Sequence, residues 1–133
     1  MIYLDANVFI YHLLDSSSKG ENARKIFQNI LKGDESAVTS SLTIDEVVWI
    51  LWKNVGREKA TTETLKIFEM PNLEILSLTS EMSFKSLLLM QKYKKLKPRD
   101  AAHAAVCLSS GVFQIVSDDS DFDEIKELTR VKL

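Results

Sequence analysis

Acidic side chains stand at four widely separated places in this sequence: Asp5, Glu46, Asp100 and the run Asp118, Asp119 and Asp121. Each falls where a strand pattern ends or a helix pattern begins. In an open parallel α/β sheet, strand carboxyl ends and helix amino ends share one edge, and ligands bind in the crevice there. Carboxylates distant in sequence therefore meet in space. They remain ionised together only beside a cation, because like charges a few ångströms apart oppose one another's ionisation. Oxygen donors without a cysteine or a histidine pair among them suit a hard ion such as Mg2+ or Mn2+. Such an ion activates water and neutralises phosphoryl charge, so the chemistry these residues predict is phosphodiester hydrolysis.

Each acid also has an ordinary structural explanation. Asp5 closes the apolar segment IYLD and suits a turn or a cap. Thr43-x-x-Glu46 fits a capping box, in which the Glu reaches back to the helix start. Asp100, following Pro98 and Arg99, suits an N-cap, and DDSDFD suits a solvated turn. The joint placement separates the two explanations, because four independent caps have no reason to share one sheet edge. A helix amino terminus also favours an ionised carboxylate, keeping such ligands ready for a divalent ion.

The elements that must carry these residues are short strands alternating with longer helices. Strands are expected at 2–5, 36–39, 73–76 and 114–117, with 131–133 as a possible fifth. Helices are expected at 6–14, 21–32, 44–54, 58–69, 80–93 and 101–110, with Gly33, Pro71 and Gly111 as stops. This alternation predicts an α/β fold, a three-layer α/β/α sandwich around a short parallel sheet of four or five strands. The 133 residues suffice for one domain, 1–133, with its own core. A content of 45% apolar and 27% charged residues belongs to a soluble globular chain, and the apolar start MIYLDANVFIYHLL carries Asp5 and lacks a basic leader. A cytoplasmic protein without a membrane partner is expected. Cys107, the only cysteine, lies in an apolar helical stretch and is expected to be a buried, inert thiol.

The segments LDANVFIY, SSLTIDEVVWIL, KPRDAAHAA and IVSDDSDFD, in this order and spacing, resemble the motifs of the PIN-domain ribonucleases. The nearest likeness is to the small VapC-type toxins of toxin–antitoxin systems, and it spans essentially the whole chain. The resemblance implies a PIN-like fold and a site in which Asp5, Glu46, Asp100 and Asp119 hold one or two Mg2+ or Mn2+ ions. Asn7, Ser117 and Asp121 take supporting places, while Asp118 falls at a variable position and is expected to be solvated. It further implies RNA hydrolysis leaving a 5′-phosphate and a 3′-hydroxyl, a cognate antitoxin and a homodimer.

The basic stretch before Asp100 supplies Lys94, Lys95, Lys97 and Arg99 as a candidate phosphate-binding lip, although such a run also suits a solvated helix end. A formal charge of −2 does not oppose an RNA partner, since setting four acids aside as ligands leaves 15 acidic against 17 basic side chains. His12 and His103 are the only histidines, which disfavours metal-free cleavage by an imidazole pair, and His103 is expected to be structural. Of Trp49 and Trp52, on a helix apolar almost all round, one is expected to face a partner. Among rivals, a Mg-dependent phosphoacceptor domain needs an acidic pair after the first strand and an Asp after the third, and neither is present. A dehalogenase-like phosphatase needs a second Asp where Asn7 stands. A catalytically silent module that keeps the fold and binds RNA or protein is the alternative left open.

Overall fold

The first strand, β1 (Ile2–Leu4), is buried at every residue, as the middle strand of a doubly covered parallel sheet must be. In the computed structural model, which describes residues 1–133, β1 lies between β2 (Ala37–Ser40) and β4 (Gln114–Val116). With β3 (Leu73–Leu76) and β5 (Thr129–Val131) at the edges, the order is β3-β2-β1-β4-β5 and every pairing is parallel.

Alternation along β1 divides the core between the two faces. Ile2 and Leu4 pack with Phe9 of α1 (Ala6–Leu14), Phe27 of α2 (Ser18–Lys32), Val47 and Leu51 of α3 (Ser41–Val55) and Ala60 of α4 (Arg57–Leu65). Tyr3 points the other way. It joins Ala101, Ala104 and Cys107 of α6 (Pro98–Ser109), with Leu89 and Met90 of α5 (Ser80–Lys92) packed against that layer. The expected α/β/α sandwich is thus present with five strands. No helix is long and apolar enough to cross a membrane.

The differences from the sequence expectations lie at element ends. α6 starts at Pro98, because proline's missing N–H costs nothing in a first helical turn, so Lys97 is the cap residue and Asp100 lies inside the turn. α3 follows β2 directly from Ser40, with no side-chain cap. The expected helix 58–69 is α4 followed by a tighter 3₁₀ turn, Lys66–Glu69, and β5 lies two residues earlier than expected. Gly20 allows α2 to pass close to the end of α1, where a Cβ would stand 1.8 Å from the Asp15 carbonyl oxygen. Cys107 is buried as expected, donates to the Val112 carbonyl at 3.2 Å, and has its thiol pKa pushed up to about 12 by burial.

Candidate active site

The strand order reverses direction at β1, whose two neighbours continue the chain on opposite sides, and the carboxyl ends of β1 and β4 lie side by side there. Asp5 leaves β1 at this point and caps α1, accepting from the Ala6 amide at 2.7 Å. Its other oxygen accepts from the Ser117 hydroxyl at 2.7 Å and from Asn7 Nδ2 at 3.1 Å. Ser117, at the end of β4, accepts in turn from the Asp119 amide at 3.0 Å and from Asn7 Nδ2 at 3.2 Å. Asn7 and Ser117 therefore knot the two strand ends together. Burial raises the Asp5 carboxyl above its ordinary range, against the lowering effects of His103, Ser117 and the Ala6 amide.

Asp5, Glu46, Asp100 and Asp119 line one cleft of about 230 Å3, together with Asn7, Ile10, Trp49, Ile50 and Arg99. Within it the acids form two groups. Asp100, Asp119 and Asp121 each offer a carboxylate oxygen, and these lie within 4.8 Å of one another. Asp121, expected in a supporting place, is thus a member of this triad. Asp119 holds it there by accepting from the Asp121 amide at 2.9 Å. The Asp100 carboxyl is pushed up to about 7, first by burial and then by its hydrogen bond with Asp119 and the charges of Asp119 and Asp5, which His103 only partly offsets. Without a cation, Asp100 is about half protonated near neutral pH.

The second group is Asp5 and Glu46, and the residue that joins them is His103. Its Nε2 lies 2.5 Å from Glu46 Oε1 and 3.4 Å from Asp5 Oδ1, and its Nδ1 lies 2.7 Å from the Tyr3 hydroxyl. Burial opposes a charge on this imidazole, yet the Glu46 hydrogen bond and the charges of Asp5, Glu46 and Asp100 hold its pKa above the ordinary value. The capping-box explanation of Glu46 is overturned by this contact. Thr43 is buried and its hydroxyl lies 2.8 Å from that of Thr39, which also donates to the Leu4 carbonyl. His103, expected to be structural, is buried, and it pairs with Glu46 of the site as well as with Tyr3.

Asp118 is not a solvated turn residue. It turns from the cleft to accept from Lys19 Nζ at 2.7 Å and Tyr11 OH at 2.8 Å, and the Lys19 hydrogen bond holds its carboxyl below the usual range. The basic stretch divides. Arg99 lines the cleft and Lys97 Nζ lies 3.9 Å from Asp121 Oδ2 at its edge, whereas Lys94 and Lys95 are exposed on the connection between α5 and α6. Trp49 and Trp52 are both exposed, with ring centroids 5.4 Å apart, and Trp49 is shared between the cleft and a neighbouring groove lined by Asp45, Trp52 and Arg57. Sequence reasoning missed Tyr3 and Arg130. The latter grips Asp123 through two hydrogen bonds of 2.8 and 3.0 Å and donates to the Ser117 carbonyl at 3.2 Å, bracing the turn that carries Asp119.

A parallel α/β/α sandwich with acids gathered at its switch point is one architecture of metal-centred phosphoryl chemistry, and sequence comparison narrows the class. The chain belongs to the PIN domain family, whose pattern it matches over residues 2–128. No curated protein matches it in a sequence search. Solved structures share the fold. VapC20 of Mycobacterium tuberculosis, described as a Sarcin-Ricin loop cleaving toxin, superposes with a TM-score of 0.76 at 15% identity over 92% of this chain and 93% of its own. DNA-bound VapBC of Salmonella typhimurium gives 0.74 at 17% identity over 98% and 96%. VapBC-1 of nontypeable Haemophilus influenzae gives 0.73 at 20% identity over 99% and 98%.

Proposed function

We propose that the protein is a divalent-metal-dependent ribonuclease and the toxin member of a toxin–antitoxin pair. The observation that carries this is the convergence of Asp5, Glu46, Asp100 and Asp119 on one small cleft of a PIN domain. Membership of that family and the fold shared with VapC and VapBC proteins support the ribonuclease and antitoxin parts of the reading.

The donor set fits a hard cation. It consists of carboxylate oxygens, three of them within 4.8 Å of one another, and the Asp100 pKa is raised by burial and then by the neighbouring carboxylates, whose repulsion a bound cation would relieve. When bound, Mg2+ or Mn2+ would activate water and neutralise charge on the phosphoryl group. Asp100 and Asp119 would hold it, with Asp121, Asp5 and Glu46 completing the set. Asn7 and Ser117 fix Asp5 and the Asp119 turn, so the site is organised before RNA arrives. Arg99, which lines the cleft, and Lys97, at its edge, would pair with RNA phosphates. Glu46 keeps its second carboxylate oxygen free for a water or an ion, since only Oε1 is engaged.

An antitoxin and a second copy of the chain are the protein partners in this reading. Two surfaces support them: Trp49 and Trp52 beside the cleft, and Phe84, Leu87 and Leu88, exposed along α5. The test is an RNA cleavage assay with Mg2+ or Mn2+, with chelator, and with Asp100→Asn. Cleavage that requires the metal and disappears in Asp100→Asn is the expected result. Cleavage that persists in chelator or in the variant would refute it.

A further inference from the structure

Glu46 has a single hydrogen-bond partner, His103, whereas Asp5 accepts from Ala6, Asn7 and Ser117. A glutamate has three rotatable side-chain bonds, and the charges of Asp5 and Asp100 push another carboxylate away from the cleft they share. Something must hold Glu46 there. His103 is fully buried on α6, one turn beyond Asp100 and on the same helical face. Its Nε2 meets Glu46 Oε1 at 2.5 Å and Asp5 Oδ1 at 3.4 Å. Behind it, the Tyr3 hydroxyl lies 2.7 Å from Nδ1, and the two rings pack edge to face with centroids 5.8 Å apart. Whether the neutral ring accepts from the phenol at Nδ1 or the imidazolium donates to it, Nε2 carries an N–H aimed at the carboxylates. Tyr3, from β1, thus holds the ring in place, and His103, from α6, directs Glu46, from α3.

We propose that His103 is a positioning residue of the acidic cleft, holding Glu46 toward the ion and substrate with its own ring held by Tyr3. The proposal rests on the cleft being the ribonuclease site. Its own content is a three-residue line, Tyr3–His103–Glu46, that links the sheet to a carboxylate from behind. Outer partners that orient metal-binding groups contribute about ten- to a hundredfold to affinity or activity. The imidazole meets Glu46 at 2.5 Å and Asp5 only at 3.4 Å, so most of its contribution vanishes when Glu46 is removed.

The test compares Mn2+ affinity, measured by calorimetry, in wild type, His103→Asn, His103→Gln, Glu46→Ala and the double variant His103→Asn/Glu46→Ala. Asparagine places an amide near Tyr3 but short of Glu46, whereas glutamine reaches toward Glu46. The expected result is a loss of about tenfold or more in His103→Asn, a smaller loss in His103→Gln, and little further loss on adding His103→Asn to Glu46→Ala. RNA cleavage by His103→Asn should show a reduced kcat with KM little changed. Wild-type Mn2+ affinity in folded His103→Asn, or losses that add in the double variant, would overturn the proposal. Should His103→Asn fail to fold, the downfield imidazole N–H resonance of the metal-free wild type decides: it should move upfield in Glu46→Ala, and an unchanged position there overturns the proposal. The Asp100→Asn arm separates the two readings. Cleavage that survives it defeats the ribonuclease assignment, while the His103–Glu46 coupling is still read from ion binding and the resonance.

Discussion

Ser117 shows how much of the site depends on single hydrogen bonds. Its buried hydroxyl donates to Asp5 and accepts from the Asp119 amide, so Ser117→Ala leaves both without that partner. A loss of about 1–3 kcal/mol in urea unfolding is expected, with reduced cleavage. Asp100 gives the opposite sign. Its folded pKa of about 7 lies above the ordinary value of 3.8, so the native state keeps a proton that the unfolded chain has released between those values. The stability of the ion-free protein therefore falls as pH rises from about 4 to about 7. Asp100→Asn should flatten that slope and raise Tm at neutral pH by a few degrees, for a gain on the order of 1 kcal/mol. Thermal melts in chelator across this window check it, and a Tm lowered by the variant would contradict it. At this scale the sequence showed which residue types could bind an ion, and the structure brings Asp5, Glu46, Asp100 and Asp119 to one cleft. The role of His103 was hidden. A lone histidine in an alanine-rich run gives no periodic signal, and its partners Tyr3 and Glu46 lie 100 and 57 positions away.

At the scale of elements, the hydrophobic periods made the strands and most helices legible, because buried strands read as short apolar runs and α2 shows one apolar stripe. The ends were harder to read. Pro98 draws the start of α6 forward and so moves Asp100 from the cap into the first turn, where it meets Asp119. Nothing local to Thr43 announces that its hydroxyl will be taken by Thr39 from the preceding strand. The α1–α2 contact is equally non-local. With the Asp15 carbonyl 1.8 Å from where a Cβ would stand, Gly20→Ala must push the helices apart despite alanine's better helix propensity. A net loss of about 1–3 kcal/mol is expected by urea unfolding, a size typical of overpacking. A stabilised Gly20→Ala protein would show that the two helices separate freely.

Across the whole molecule, charge is distributed unevenly around the cleft. The acids occupy its floor, while Arg99 and Lys97 stand at its edge and Lys94 and Lys95 stand further along the same connection. If the edge contacts the RNA backbone, Arg99→Gln and Lys97→Gln should each flatten the log–log salt dependence of binding by about 0.7, with a smaller effect at Lys94 and Lys95. Equal slopes in wild type and the Lys97→Gln/Arg99→Gln variant would remove the lip from the account. All of this depends on the acidic cleft holding a divalent ion, and anomalous diffraction from Mn2+-soaked crystals tests that most directly. A peak bonded to Asp100 and Asp119, with Glu46 or Asp5 turned toward it, is the expected result. A cleft without a peak at saturating Mn2+, or a peak confined to acids outside it, would rule out a metal site in this cleft.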